Sequence, residues 1–390
     1  MKKNRVREII RANRFIGVLA VVALLLTLPG RTELFAGEII FKARVHPVAS
    51  FTPLFNQYLS DPWKKTLYAR LDRIRSACGD LCYISNQTHY DSKKLVFPGT
   101  SFPTLTANVD CRSIMLSNDI DARENSVPYP TPEELIDIFT VGGAIELQEV
   151  GMLSSVARKA PQNIWSTFMI DQMLMKTDLG FPPGLFGINE TKIILNKLSQ
   201  IDMKGKRIFV IGNGEPWLEV ICIHLGASDV TTLRQSGVLQ SQHTSIRIIT
   251  PNQLRTEYMD GTLGKFDVVV SHSTIGHIGL GRFGDSLNPW GDILSLARAW
   301  CIAQPGAHLY LGLPTGKDSV LFNAYRQYGK FRWSLVTTNW LQIDGEDHKD
   351  DELVFTSKFD KSDVGRGFIF KKFNPKVAEM IIEHHEVLSS

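Results

Sequence analysis

The apolar positions of this chain fall into two regimes. Beyond about residue 190, short apolar runs bounded by turn residues alternate with stretches where apolar positions recur every three or four residues. The runs predict strands over 206–211, 229–233, 246–249, 266–271 and 308–313. The periodic stretches predict helices over 191–198, 216–225, 290–303 and 331–337, and two closing strands follow over 340–343 and 367–371. Strands separated by helices at this spacing predict an α/β fold, a parallel sheet with helices on both faces.

Before residue 190 the pattern is mixed. Residues 61–77 read as a helix, with Asp61 at its cap and Pro62 in its first turn. Leu67, Leu71 and Ile74 share one face of it, which leaves Arg70, Arg73 and Arg75 to solvent. Thr131 and Glu134 have the spacing of a capping box and predict a helix to about Phe139. Residues 142–187 read as further helices and connections, with Met152, Met169, Met173 and Met175 as core filler.

The extreme N-terminus follows neither rhythm. Residues 1–14 carry six basic side chains against Glu8, and residues 15–29 carry no charge at all. A basic flank before an apolar run predicts a signal-anchor with its N-terminus in the cytosol. The run is short for a bilayer core, so the h-region of a cleaved signal peptide is the alternative. Either way the body of the chain is expected in the lumen of the secretory pathway. It would be a single-pass type II protein of the endoplasmic reticulum or Golgi, or secreted after cleavage. The expected plan is a basic tail (1–14), an anchor (15–29), a stem (30–60), a helical or irregular extension (61–188), an α/β domain (189–374) and a C-terminal tail (375–390).

Composition adds little to this plan. Of the 390 residues 43% are hydrophobic and 21% charged, which is ordinary for a globular protein. The net charge of +3 sits mostly in the first fourteen residues, so nothing argues for a nucleic-acid partner. Five cysteines leave one without an intramolecular partner. Cys78, Cys82 and Cys111 cluster, and luminal oxidation is expected to pair two of them, while Cys222 and Cys301 fall in predicted core helices. The spacing of Cys78 and Cys82 offers no zinc site, and no metal site is expected there. Asn86 and Asn189 each begin a glycosylation tripeptide.

The candidate chemistry gathers at strand ends, where open α/β sheets bind ligands. The strand over 266–271 runs into a loop with Gly276, Gly279, Gly281 and Gly284, together with His272, His277, Arg282 and Asp285. Such glycine density marks tight turns or close approach to a ligand. The strand over 206–211 ends in Gly212-Asn213-Gly214 and then a helix, which offers free amide donors; a tight turn without a ligand is the bland reading. Trp217 stands where the dinucleotide fingerprint has its third glycine, so a nicotinamide cofactor is disfavoured. Asp292 is expected to charge the start of its helix, and Lys317, Asp318 and Arg326 lie at the edge of the same strand ends. Asp119 and Asp121 could hold a divalent cation against a nucleotide diphosphate, although a turn explains them as well.

These pieces resemble a class I S-adenosylmethionine-dependent methyltransferase over roughly 204–372. Gly212 and Gly214 match the nucleotide loop, FDVVVSHSTIGHI the fourth strand and its loop, and Pro305-Gly306 the turn before the fifth strand. GLGRFGDSLNPWGD and LPTGKDSVLFNAYRQYG are more specifically similar to the methyltransferase-like domain-of-unknown-function family 268. The resemblance implies a seven-stranded Rossmann-like sheet of order 3-2-1-4-5-7-6. It implies S-adenosylmethionine as cofactor, held near Gly212, Asn213, Gly214, Glu215, Asn252 and Ser271. His277 would face the Gly212 loop as the base, with His272 second, and Arg282 and Asp285 would bind the acceptor or pair with each other.

The departures from that pattern are specific. Val210 stands where the superfamily has an acid before the first glycine, and Arg234 follows Leu233 where an acid binds the ribose. Ile275-Gly276-His277 replaces Ile-Glu-His, and Tyr325 replaces a histidine. Three functions therefore stand open. The first is luminal methyl transfer to a glycan, small molecule or other secretory acceptor. The second is a non-catalytic binding or scaffold protein on the same fold. The third is a type II metal-dependent glycosyltransferase through Asp119 and Asp121.

Overall fold

The computed structural model describes residues 33–35, 38–40, 61–82, 94–95, 104–117, 130–149, 164–212, 214–234, 240–282, 285–344 and 367–375. The apolar run 15–29, Asn86, Asp119 and Asp121 lie outside them. Among the described residues no helix is long and apolar enough to cross a membrane. The chain divides into two units, 1–44 and 45–390. The first holds an antiparallel pair, β1 (Glu33–Phe35) and β2 (Glu38–Ile40).

The second unit opens with α1 (Asp61–Cys78), which buries Leu67, Leu71, Ile74 and Cys78 along one stripe and exposes Arg73 and Arg75. A short pair follows, β3 (Lys94–Leu95) and β4 (Thr104–Leu105). Helix α2 (Cys111–Leu116) starts where the Asp110 carboxylate accepts the amides of Arg112 and Ser113. Helix α3 (Glu133–Thr140) corrects the expected cap. Pro132 is at its N-cap, and the Thr131 amide instead donates to the Glu149 carboxylate at 2.8 Å. Then come β5 (Glu146–Glu149), α4 (Thr167–Asp178) and α5 (Ile188–Leu198). In α4, Met169 and Met173 pack beside the core, but Met175 is exposed.

The α/β part begins at β6 (Arg207–Ile211) and α6 (Trp217–His224), followed by β7 (Asp229–Leu233) and β8 (Ile246–Ile249). Helix α7 (Pro251–Asp260) has no counterpart in the sequence reading, although Thr250 and Gln253 form a reciprocal capping box at its start. Next are β9 (Phe266–His272), α8 (Gly291–Ile302) and β10 (Ala303–Gly312). Strand β10 starts earlier than expected, with its register broken between Ala303 and His308 around Pro305-Gly306. A hairpin of β11 (Ser319–Phe322) and β12 (Tyr325–Gln327) precedes α9 (Lys330–Val336), β13 (Trp340–Gln342) and β14 (Phe368–Lys372).

Seven strands join in the order β8-β7-β6-β9-β10-β14-β13. Counted along the chain within this sheet, that is 3-2-1-4-5-7-6, with the seventh strand antiparallel to its neighbours. This is the methyltransferase-type arrangement that the resemblance implies. Alternation splits the core in two: Phe209 and Ile211 face one apolar cluster, Ile208 and Val210 the other. Helices α4, α5 and α6 cover one face; α7, α8 and α9, with α1 and α2, cover the other. Strand β5 pairs in parallel with β11 in a separate three-stranded sheet, which stitches the N-terminal extension to the domain.

Disulfides join Cys78 to Cys82 and Cys111 to Cys301, and Cys222 is a buried free thiol. The expected pairing within the first three cysteines thus covers half of the outcome. Cys301, expected as an ordinary core residue, ties α8 to α2 across 190 positions. Replacing both Cys111 and Cys301 by Ser is expected to cost about 2–4 kcal/mol of stability. Urea unfolding reads this as a lowered midpoint; an unchanged midpoint would show that the bridge contributes nothing.

Candidate functional site

The site is built from the ends of β6, β7 and β9. Strand β6 delivers Gly212, and the chain reaches Gly214 at φ +97, a conformation that side-chain-bearing residues rarely adopt. Pro216 then sets the start of α6, and Trp217 is buried beneath it. Ser271, at the end of β9, donates its hydroxyl to the Ile211 carbonyl at 2.9 Å and is fully buried. It ties two strands rather than offering a free hydroxyl. Glu215 and Asn252 are exposed, and Asn213 lies outside the described residues.

Two residues dominate this corner: Glu219, which the sequence reading missed, and Arg234, which it marked only as a departure from the superfamily pattern. Glu219, on the inner face of α6, is 2% exposed and accepts the Thr232 hydroxyl at 2.8 Å. A Cβ added at Gly212 would come within 3.8 Å of its Oε1, so the glutamate lies directly under the glycine loop. Burial pushes its carboxyl up to about 7, against the pull of Thr232 and the Arg234 charge. Arg234, one residue past β7, turns its guanidinium onto the loop. Its Nη1 donates to the Gly214 carbonyl at 2.8 Å, and its Cζ lies 5.8 Å from the centroid of the Trp165 ring. The inward face of α6 was legible as apolar; an acid within it could have flagged Glu219.

The histidines divide. His272 is 4% exposed, with Nδ1 3.1 Å from the Tyr310 hydroxyl and its ring within 6.0 Å of Phe186, Trp217 and Tyr310. Its surroundings are those of a packed core ring. His277 sits in a 3-10 turn, Ile275–His277, and its ring reaches the hairpin of β11 and β12. Its Nδ1 is 2.6 Å from the Ala324 carbonyl. A carbonyl can only accept, so that nitrogen carries the proton and Nε2 is the basic one in the neutral ring. The Tyr325 ring stands edge-on at 6.3 Å.

The rest of the loop is fixed by charge. Asp285 accepts the amides of Gly279 and Gly281, at 2.7 and 3.4 Å. Arg282 is half-buried, and its charge opposes the upward push of burial on the Tyr325 hydroxyl. Asp292 lies in the first turn of α8 but points to other partners than the helix start. Its carboxylate takes Nη2 and Nε of Arg332 at 2.7 and 2.8 Å and the Tyr328 hydroxyl at 3.0 Å. Arg326 stands 3.7 Å from it and donates to the carbonyls of Ile278, Asn288 and Pro289. Burial opposes the charge on Asp292, but Arg326 and Arg332 hold its carboxyl below the usual range. A Cβ at Gly276 would stand 3.3 Å from the Arg326 carbonyl, so the hairpin backs the position where the superfamily has glutamate. Asp318 caps α9 through the amides of Gly329, Phe331 and Arg332, while Lys317 pairs with Glu146 at 3.2 Å. Among the described residues no group of His, Cys, Asp or Glu could hold a metal ion.

Residues 205–364 match the model of a family described as Caenorhabditis protein of unknown function, DUF268. No curated protein matches the chain. Among solved structures, it is similar to candidate hemolysins from Streptococcus thermophilus and Lactococcus lactis, each 15% identical, with TM-scores of 0.25 and 0.24. The match covers 32% of this chain in both cases, and 42% and 55% of theirs. It is also similar to the 1,6-didemethyltoxoflavin-N1-methyltransferase of Burkholderia thailandensis, solved with S-adenosylhomocysteine: 9% identity, TM-score 0.30, 53% of this chain and 87% of that one. At these scores the strand order carries the fold assignment.

The residues at this site fit S-adenosylmethionine poorly. Its sulfonium is a cation, and its ribose is ordinarily met by an acid at the end of the second strand. Here that end presents Arg234, and the acid beneath the loop is buried and half protonated near neutral pH. Glu219 also makes stability depend on pH. Its carboxyl is raised to about 7 in the fold from an ordinary 4.5, so the native state holds a proton that the unfolded chain releases. Its contribution is whole below about pH 4.5 and is lost as pH rises to about 7, by about 3 kcal/mol. Glu219→Gln is expected to flatten that slope in urea unfolding between pH 4.5 and 8. Parallel slopes in variant and wild type would place the titration elsewhere.

Proposed function

We propose that the domain is a non-catalytic binding or scaffold module on a methyltransferase-type fold. The observation that carries this reading is the Arg234 guanidinium bonded to the Gly214 carbonyl, at the strand end where a nucleoside cofactor would meet an acid. Val210 and Gly276 support it, since two further acids of the superfamily pattern are replaced by apolar residues. Each lost charge-assisted hydrogen bond weakens a ligand by roughly 1.5–3 kcal/mol. A second reading keeps methyl transfer to an oxygen or nitrogen acceptor, a glycan among the candidates. It draws on His277, whose proton on Nδ1 leaves Nε2 as a base. Calorimetry of the full chain with S-adenosylmethionine and S-adenosylhomocysteine decides between them. The binding reading expects no saturable heat at millimolar ligand; micromolar binding of either compound would restore the catalytic one.

The compartment we propose is the secretory lumen, with the apolar run 15–29 as the anchor. Two disulfides support it, because cytosolic thiols of this kind stay reduced. Protease added to sealed microsomes should leave the body of the chain intact until detergent is added. Complete digestion without detergent would put the body in the cytosol instead.

A further inference from the structure

Of the ten large apolar side chains that stand exposed among the described residues, eight fall between Ile164 and Ile193, on α4, α5 and the chain beside them. Such a concentration marks a surface that something covers. Phe181, Leu185, Ile188 and Ile193, each 40–60% exposed, belong to α5 or to the turn before it. Asn189 stands among them. It is the second residue of α5, it is exposed, and Ile188 precedes it. One helical turn on, Lys192 and Ile193 share its side of the helix. The Lys192 ammonium lies 5.9 Å from the centroid of the Phe181 ring, which brings that ring to the same side.

Asn189-Glu190-Thr191 has the acceptor pattern for an N-linked glycan. We propose that Asn189 carries an N-linked oligosaccharide whose first sugars lie over this apolar surface. A sugar ring presents C–H groups that pack on the face of an aromatic ring or on aliphatic carbon, while its hydroxyls stay in water. The donor is a lipid-linked oligosaccharide diphosphate. A bond forms between Asn189 Nδ2 and the anomeric carbon, and the bond from that carbon to the diphosphate oxygen breaks. Nδ2 gives up one proton as the lipid diphosphate leaves. Thr191 sets the timing of the transfer. It is fully buried, and its hydroxyl donates to the Gly187 carbonyl at 2.7 Å. Gly184 lies so close over that hydroxyl that a Cβ there would clash with it. A transferase that reads the tripeptide therefore meets it as the chain enters the lumen, before α5 packs. In the finished fold Asn189 faces solvent, so the glycan displaces nothing. The inference rests on the compartment proposed above, where the transfer takes place.

The test expresses the full chain in cells with a secretory pathway and treats it with peptide N-glycosidase. Asn86→Gln removes the other acceptor tripeptide, so the mobility step that remains reports on Asn189. That step is expected in Asn86→Gln and is expected to vanish when Asn189→Gln is added. Mass spectrometry of the wild-type peptide that spans residue 189 reads the same modification without a substitution, so the test stands if a variant fails to fold. Protease protection of microsomes from the same cells separates two ways of failing. A protected body with an unmodified Asn189 overturns the proposal and leaves the compartment standing. A body digested without detergent overturns both. A step that survives the loss of Asn189 also overturns the proposal. Trimming the glycan from the folded wild-type chain is expected to raise the fluorescence of an apolar dye; unchanged fluorescence overturns the covering of the surface.

Discussion

Asp292 has no exposed surface, and two arginines share it. Moving such ions out of water costs several kcal/mol each, which only good geometry offsets. Here Arg332 grips the carboxylate with two nitrogens and Tyr328 adds a third bond. Arg326, the surplus cation, is neutralised in effect by carbonyls of the loop between β9 and α8. Two of those carbonyls take a second donor, Asn288 from the Gly291 amide and Pro289 from Arg332 Nη2. The cluster therefore joins four pieces of chain, α8, the β9 loop, the β11–β12 hairpin and α9, by bonds that fail together. The backbone of the hairpin fills the space where a larger residue at 276 would go. The loop that carries His277, Arg282 and Asp285 takes its shape from this buried charge together with Gly279 and Gly281, which adopt positive φ.

What the sequence disclosed follows from how local each signal is. Strands buried on both faces write themselves as apolar runs, and β6 and β9 lie within a residue of where those runs predict. Helix α7 was harder, because only Pro251 and Leu254 are fully buried on it and the rest of its residues are exposed or partly so. The β11–β12 hairpin is short and closes on β5, about 170 positions earlier, so its partner carries no local mark. The Cys111–Cys301 bridge is hidden for the same reason. At the site, glycines and histidines were visible as unusual residues at strand ends. Their partners were not: nothing near Asp292 in the chain points to Arg332, and nothing near Gly214 points to Arg234. Thr131 shows the opposite failure, a complete local capping signal displaced by a carboxylate from β5.

The two sides of the strand ends are built in different ways. On the β9 side, hydrogen bonds and buried ions hold the loop rigidly, and His272 is spent on packing against Tyr310, Phe186 and Trp217. On the β6–β7 side the backbone still makes the turn of a ligand-binding loop, with Gly214 in its special conformation. Beside it, Arg234 places a cation against the Gly214 carbonyl. Shape and charge are separable because the sheet is held by Ile208, Phe209, Val210 and Ile211, which have no part in ligand recognition.

The sign of the charge beside the Gly214 turn then decides which ligands it favours. Two unit charges at 4 Å interact by about 4 kcal/mol at an effective dielectric of 20. Exchanging an acid for a guanidinium turns an attraction of that order for a cation into a repulsion, and does the reverse for an anion. Glu219 cancels only part of the exchange, because burial raises its carboxyl to about 7. A glycine loop at the mouth of a helix already favours negative charge through its amides. In a methyltransferase an acid on the second strand works against that preference; with Arg234 in its place, the backbone and the side chain favour the same sign.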